Sequence, residues 1–282
     1  MPIDRKRCRV GFQKLYRELA KLPTNPAPES VHKMRTNGRR VEVLLREIVP
    51  DLSGNDKKLL KMLMRLRKKG GQVRDLDVEI NALRSLKSPE GNGHKSQLLE
   101  VLVQERIERE RKLAKALDRK TANEIRKRLK RAIGRMAIPA DVDPLTLTRL
   151  KLAQLSRDHA PLTEKTLHQY RIVGKQARYI AELAPDAQAK SVVRQLKQMQ
   201  DVIGDWHDWL KLTQRAEALF GGVRDSSLVA LLRNVTQAKF RQSLDAVAEI
   251  RTALAAKKTE SAVGAPKRKP LPGSPRPTSA VA

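Results

Sequence analysis

The chain has 282 residues, with 59 Lys or Arg against 31 Asp or Glu and a formal charge of +28. Such an imbalance repels itself unless a polyanion neutralises it, which points to nucleic acid, an acidic membrane surface or inorganic polyphosphate. A single cysteine, Cys8, rules out a disulfide framework; no apolar run reaches about 18 residues; and the opening MPIDRKRCRV lacks the apolar core of a secretory signal. A cytoplasmic protein with no membrane span is the plain expectation.

Leu, Ala, Lys, Arg, Glu and Gln dominate and β-branched alternation is scarce, so the fold class is all-α. Aromatics are only 3% of the chain, so the core must be built mainly from Leu, Val, Ile and Ala. Pro23, Pro26 and Pro28 separate a first helix, about 5–21, from a second, about 29–49. PDLSGND ends the second, and a third spans about 55–85 before SPEGNG. A basic helical stretch follows over about 95–137, with a break expected near Lys120. AIPADVDPLT reads as a linker, and four more helices are expected at about 143–158, 163–184, 188–219 and 225–256. Ser30 and Thr163, close to Pro28 and Pro161, suit helix starts. After Ala256 the chain turns to Pro, Ser and cations with one acid, Glu260, so 257–282 reads as a disordered basic tail.

Four helices, a linker and four helices suggest an internal repeat. Residues 31–48 laid over 167–184 place His32 on His168, Arg35 on Arg171, Gly38 on Gly174 and Arg39 on Lys175. Further along, GQVRDLDV (71–78) falls on GDWHDWLK (204–211), matching Gly71 with Gly204 and Asp75 with Asp208. The two offsets, 136 and 133, are nearly equal.

His168, Arg171, Lys175 and Arg178 stand at offsets 0, 3, 7 and 10, one face of a helix about 15 Å long. A linear polyanion along that face meets a cation at each turn. Arginine can grip phosphate oxygens bidentately, and lysine acts as a point charge. The bland alternative for any one of these cations is a solvated surface. Asp75 and Asp208 are expected to pair with an arginine of a neighbouring helix and hold it. Gly38 and Gly174 interrupt good helices and are read as sites of close helix packing, with a backbone approach by the ligand as the alternative. Met34, Tyr170, Trp206 and Trp209 read as packing residues. His94, placed in a loop, and His159 join no constellation, and Asp77 and Asp205 have no repeat partner.

His207–Asp208 raises the alternative of a metal-dependent phosphohydrolase. Arg74 stands at the equivalent of His207, and arginine is no useful metal ligand, so no metal site is assigned. No phosphate loop ending in Lys-Ser/Thr, HExxH, G-x-S-x-G or paired-Cys zinc site is present, so nothing calls for an enzyme.

HKMRTNGRR (32–40), HQYRIVGKQARY (168–179) and the pair GQVRD and GDWHD resemble the CHAD domain, a histidine-containing α-helical family, over about residues 5–256. The resemblance implies two four-helix bundles, here 5–137 and 143–256, related by a pseudo-twofold axis with the basic faces meeting in a central cleft. It implies binding of inorganic polyphosphate and association with polyphosphate granules. Carried over residue by residue, it assigns binding to His32, Arg35, Arg39 and Arg40, and to His168, Arg171, Lys175 and Arg178. Arg74, Asp75, His207 and Asp208 take supporting places. Two positions depart from the pattern: Glu42 where the second half has Arg178, and Gln176 opposite Arg40. The runner-up reading is a nucleic-acid-binding protein using the basic tail, although scarce aromatics weaken single-strand stacking.

Overall fold

The computed structural model describes residues 3–21, 27–87, 93–139, 142–156, 161–221 and 226–263, with side chains as far as 252. These residues form nine helices and no strand. They are α1 (Arg5–Lys21), α2 (Pro28–Glu47), α3 (Gly54–Ser85), α4 (His94–Ala116), α5 (Arg119–Arg135), α6 (Pro144–Ser156), α7 (Glu164–Ala181), α8 (Ala187–Phe220) and α9 (Ser227–Val263).

Local side-chain chemistry sets several of these starts. Ser53 and Asp56 form a reciprocal capping box at α3, and Thr163 and Thr166 form another at α7. The Asp186 carboxylate accepts from the Ala189 amide at 2.6 Å to begin α8. Asp118 accepts from the Thr121 amide at 2.6 Å and divides the basic stretch into α4 and α5, close to the break expected near Lys120. α2 starts at Pro28 behind Ala27, so Ser30 lies in the first turn, at the helix start expected there, without capping it. Proline is harmless there because the first amides have no partner within the helix. His94 is not in a loop; it opens α4, stacks on Phe220 at 4.5 Å and meets the Ser226 hydroxyl at 3.3 Å. α9 runs past Ala256 to Val263, so the tail begins later than expected. The remainder of the tail, 264–282, and His159 lie outside the described residues.

The first part has five helices, not the four expected, because the basic stretch divides and α5 packs on α1 and α3; apart from α5, the two parts of the chain pack in the same order. α2 lies between α1 and α3, and α7 between α6 and α8. α3 runs along α4, and α8 along α9. Across the molecule α2 meets α7 and α3 meets α8.

The apolar core does not divide at the linker. One cluster joins Phe12, Leu45, Leu59 and Leu129 to Tyr179, Ile180 and Leu183 from the end of α7 and just beyond it. A second joins Leu76, Leu83 and Leu102 of α3 and α4 to Leu212, Phe220 and Leu232 of α8 and α9. A third, around Trp206, Met199, Leu167 and Val247, belongs to α6–α9. Helices α3 and α8, about 48 and 51 Å long at 1.5 Å per residue, reach from one cluster into another. Met34, Tyr170 and Trp206 are buried as expected, and Trp209 packs against the second cluster. No described helix is long and apolar enough to cross a membrane.

Gly174 has the close packing expected of it: an added Cβ would stand 2.6 Å from the Met199 methyl. Gly38 does not, because an added Cβ would meet nothing within 4 Å. Gly38→Ala should therefore stabilise the protein by about 0.5–1 kcal/mol through helix propensity and a less flexible unfolded chain. Gly174→Ala should gain less, since Met199 must first move; urea unfolding of both variants measures the difference.

Candidate functional site

The two basic faces meet where α2 crosses α7, with α3 and α8 alongside. The packing of α2 on α3 begins with glycine. Arg35 lies flat on α3, donating from Nη1 to the carbonyls of Gly70 (3.4 Å) and Gly71 (3.3 Å). A Cβ at Gly70 would lie 3.1 Å from the Met34 methyl and 3.3 Å from Arg35 Cγ, so a side chain there would make both neighbours give by a few tenths of an ångström. The guanidinium then reaches Asp75 at 3.8 Å. In the second half Arg171 reaches Asp208 at 3.9 Å. Each aspartate thus faces the arginine of the neighbouring helix, the pairing expected from the sequence.

Asp75 also accepts from Lys211 of α8 at 3.0 Å, which ties the halves together through α3 and α8. Burial works to raise the Asp75 carboxyl. Lys211 outweighs it by charge and hydrogen bond, with Arg35 and Arg171 adding, and holds the group below its ordinary value.

Arg39 and Lys175 occupy equivalent places, and neither makes a hydrogen bond or ion pair with a described residue. Both are half-buried. Burial pushes the Lys175 ammonium down to about 7, helped by Arg171 and Arg39 and opposed by Asp208. Arg39 is also lowered, chiefly by burial, with Arg67 and Arg171 adding. Arg35 is pushed to about 10, first by burial and then, against Asp75, by Arg39 and Arg171; it stays charged at neutral pH. Arg35, Arg39, Arg171 and Lys175 therefore form one cluster that repels itself.

The histidines lie on the exposed rim. His168 stacks on His207, with ring centres 5.7 Å apart, and His207 Nδ1 lies 3.6 Å from Asp208. His32 has Arg74 in the corresponding place, as the strongest charged influence on it. Both rim histidines titrate below the ordinary imidazole value: His32 through burial and then Arg74, His168 through burial and then His207 and Arg171.

Two carried-over residues are drawn elsewhere. Arg40 Nε donates to Glu182 at 2.8 Å, and Arg178 Nε lies 3.7 Å from the same carboxylate. Both guanidinium groups lie over the Tyr179 ring, at 5.5 and 5.0 Å. This arrangement clamps α2 to the end of α7 and leaves neither arginine as a free charge. Glu42 is buried and accepts from Arg67 Nε at 3.1 Å with both oxygens. Asp77 and Asp205 hold Arg106 (2.7 Å) and Lys239 (2.8 Å), away from the cluster.

Arg67, Lys211 and Glu182 were missed in the sequence, and two of them left a signal there. Lys211 is four residues after His207, on its face, and Arg67 is seven before Arg74. Glu182 left none, because its role appears only when α2 and α7 cross. Among the described residues no group of three or more His, Cys, Asp or Glu could hold a metal.

The comparisons agree with this architecture. The CHAD domain model matches residues 11–217, most of the chain and all of the helices that build the cluster. The chain belongs to the CHAD family. The family is linked to polyphosphate binding rather than to catalysis. Among solved structures, PptA from Streptomyces chartreusis superposes with a TM-score of 0.64 at 13% identity, covering 90% of this chain and 99% of that one. The CHAD domain from the plant Ricinus communis superposes at 0.59 and 17% identity, covering 88% of each. At these identities the likeness is one of fold. No curated protein sequence matches the chain.

The Lys175 shift has a consequence for stability. Its folded value, about 7, lies below the ordinary 10.5, so between those values the unfolded chain binds more protons. The penalty for the buried charge is complete below pH 7, fades as the native ammonium deprotonates, and is gone above 10.5. Stability should thus gain an upward slope with pH over that window, and Lys175→Met should flatten it; urea unfolding between about pH 6.5 and 9, the lower part of that window, checks this.

Proposed function

We propose that this CHAD protein, taken as one domain over about residues 5–256 with two halves in approximate twofold relation, binds inorganic polyphosphate along the cleft between α2 and α7. Binding, not catalysis, is its activity, in the cytoplasm and at polyphosphate granules. The observation that carries the reading is the contrast between paired and unpaired cations. Arg35 and Arg171 are positioned by Asp75 and Asp208, whereas Arg39 and Lys175 make no ion pair with a described residue, and the more distant Glu42 and Asp208 oppose their downward shifts only in part. Half-buried unpaired charge is unfavourable, and a chain of phosphates supplies the missing negative groups without displacing any existing pair. His32 and His168 extend the same track at its rim. Arg40 and Arg178 contribute by fixing the α2–α7 crossing through Glu182.

Labelled long-chain polyphosphate, competed with duplex DNA and with RNA of equal charge at about physiological salt, tests the reading. Unlabelled polyphosphate should displace the label far better than either nucleic acid; equal displacement by DNA would favour the nucleic-acid reading. Arg39→Gln with Lys175→Gln should weaken binding by about tenfold or more and lower the slope of log K against log salt by about 1–2. Release of orthophosphate on adding Mn²⁺ or Mg²⁺ would show that the protein is an enzyme after all.

A bound anion raises the proton affinity of the groups it touches. Lys175, about 7 when free, should therefore take up a proton on binding, so affinity falls as pH rises from 7 to 9. Lys175→Arg, permanently charged, should remove that loss. The rim histidines act lower: affinity should rise as pH falls below about 6.5, and His→Gln at both positions should abolish that rise.

A further inference from the structure

A second concentration of cations lies on the opposite side of α3. Lys58, Lys61 and Arg65 stand at offsets 0, 3 and 7, the spacing of His32, Arg35 and Arg39, along about 10 Å of helix. Relative to Arg67 and Arg74 they point to the far side of α3, away from the cleft. With Lys115 at the end of α4 and with Thr121 and Arg128 of α5 they enclose a cavity of about 380 Å³. Met62 and Leu66 contribute apolar surface to its walls.

The charges here are unbalanced. Lys58, Lys61, Arg65 and Lys115 make no ion pair with a described residue. Arg128 is the anchored member: it reaches Glu124 at 2.5 Å and Asn55 at 3.5 Å, while its Nε is buried without a partner. Among the described residues no carboxylate lines the cavity. Four free cations converging from α3 and α4 on a space large enough for several phosphate groups suit a compact ligand of high negative charge, not an extended chain lying flat.

We propose that this cavity between α3, α4 and α5 is a second anion site, separate from the cleft, that takes a compact oligophosphate group. Two sources offer that chemistry: a free oligophosphate, or the end of a long chain whose body lies in the cleft. Lys58, Lys61, Arg65 and Lys115 contact the phosphates, Thr121 supplies a hydroxyl, and Arg128, held by Glu124 and Asn55, forms the inner wall.

Calorimetric titration with tripolyphosphate at about 0.1 M salt tests this on the full chain. The Arg39→Gln/Lys175→Gln variant, weakened in the cleft, should keep one tripolyphosphate site. Adding Lys58→Gln, Lys61→Gln and Lys115→Gln should weaken that site by about tenfold or more and lower its salt slope by about 2. Replacing the same three lysines by Arg should retain it, and because all three are exposed each variant should melt as the parent does. No tripolyphosphate binding by the cleft variant, or binding indifferent to the three lysines, would overturn the proposal. If the cleft function itself were wrong, the cleft substitutions would leave tripolyphosphate binding unchanged while the outer triple still abolished it. Long-chain polyphosphate identifies the source: affinity lowered by the outer triple alone supports the chain end, and unchanged affinity with loss of tripolyphosphate supports the free ligand.

Discussion

The fold is organised around a repulsion. Arg35, Arg39, Arg171 and Lys175 come from two different helices and are pressed half-buried against one another, closely enough that Arg39 and Arg171 help push the Lys175 ammonium down to about 7. Left alone, such a cluster would drive α2 and α7 apart. The opposing forces are identifiable. Asp75 and Asp208 face two of the four cations. The remaining opposition comes from contacts beyond the cluster, which is why the basic face can stay largely cationic.

Those contacts are bonds between the halves. Glu182 accepts from Arg40, Lys151 of α6 reaches Glu47 of α2 at 2.9 Å, and Lys211 reaches Asp75. Exposed ion pairs contribute little, but these are half-buried and each joins helices far apart in sequence. Apolar packing does more. Tyr179, Ile180 and Leu183 enter the core of the first half, and the far ends of α3, α4, α8 and α9 build a core of their own. Helices α2 and α7 therefore cannot separate without exposing shared apolar surface, and burial of that surface is the main stabilising contribution available to offset the charge.

Much of this was legible in the sequence, for physical reasons particular to each element. Helices were readable because capping residues and Pro/Gly breaks punctuate strong helix formers: Thr163 and the break at Asp118 follow directly from side-chain chemistry. The Arg–Asp pairs were readable because a repeat marks the same residue types in two places. What depends on three-dimensional crossing was not. Arg40 shares a stripe with cleft residues in one dimension, yet the α2–α7 angle delivers it to Glu182 and Tyr179. Gly38 and Gly174 align in sequence, yet only Gly174 faces a methionine at contact distance, because what opposes a glycine is a property of the neighbouring helix. The shared second core was hidden because the length of α3 and α8 says nothing about which partner their far ends choose.

Glu42 shows how the two halves reach balance differently. A carboxylate at the place of Arg178 should have weakened the first wall of the cleft. It is instead buried, with both oxygens turned to Arg67, a cation whose equivalent in the second half is the neutral Gln200. The acid and its added arginine cancel. In the second half Arg178 carries no matching carboxylate on α8, since Gln200 stands there with both amide atoms unpaired; it turns to Glu182, which Arg40 also uses. At neither position is the charge left uncompensated, one through an internal pair and the other through a clamp shared between halves. The basic character of the α2–α7 cluster thus rests on Arg35, Arg39, Arg171 and Lys175, which the two halves supply equally, and the lopsidedness visible in the sequence is absorbed by the contacts around it.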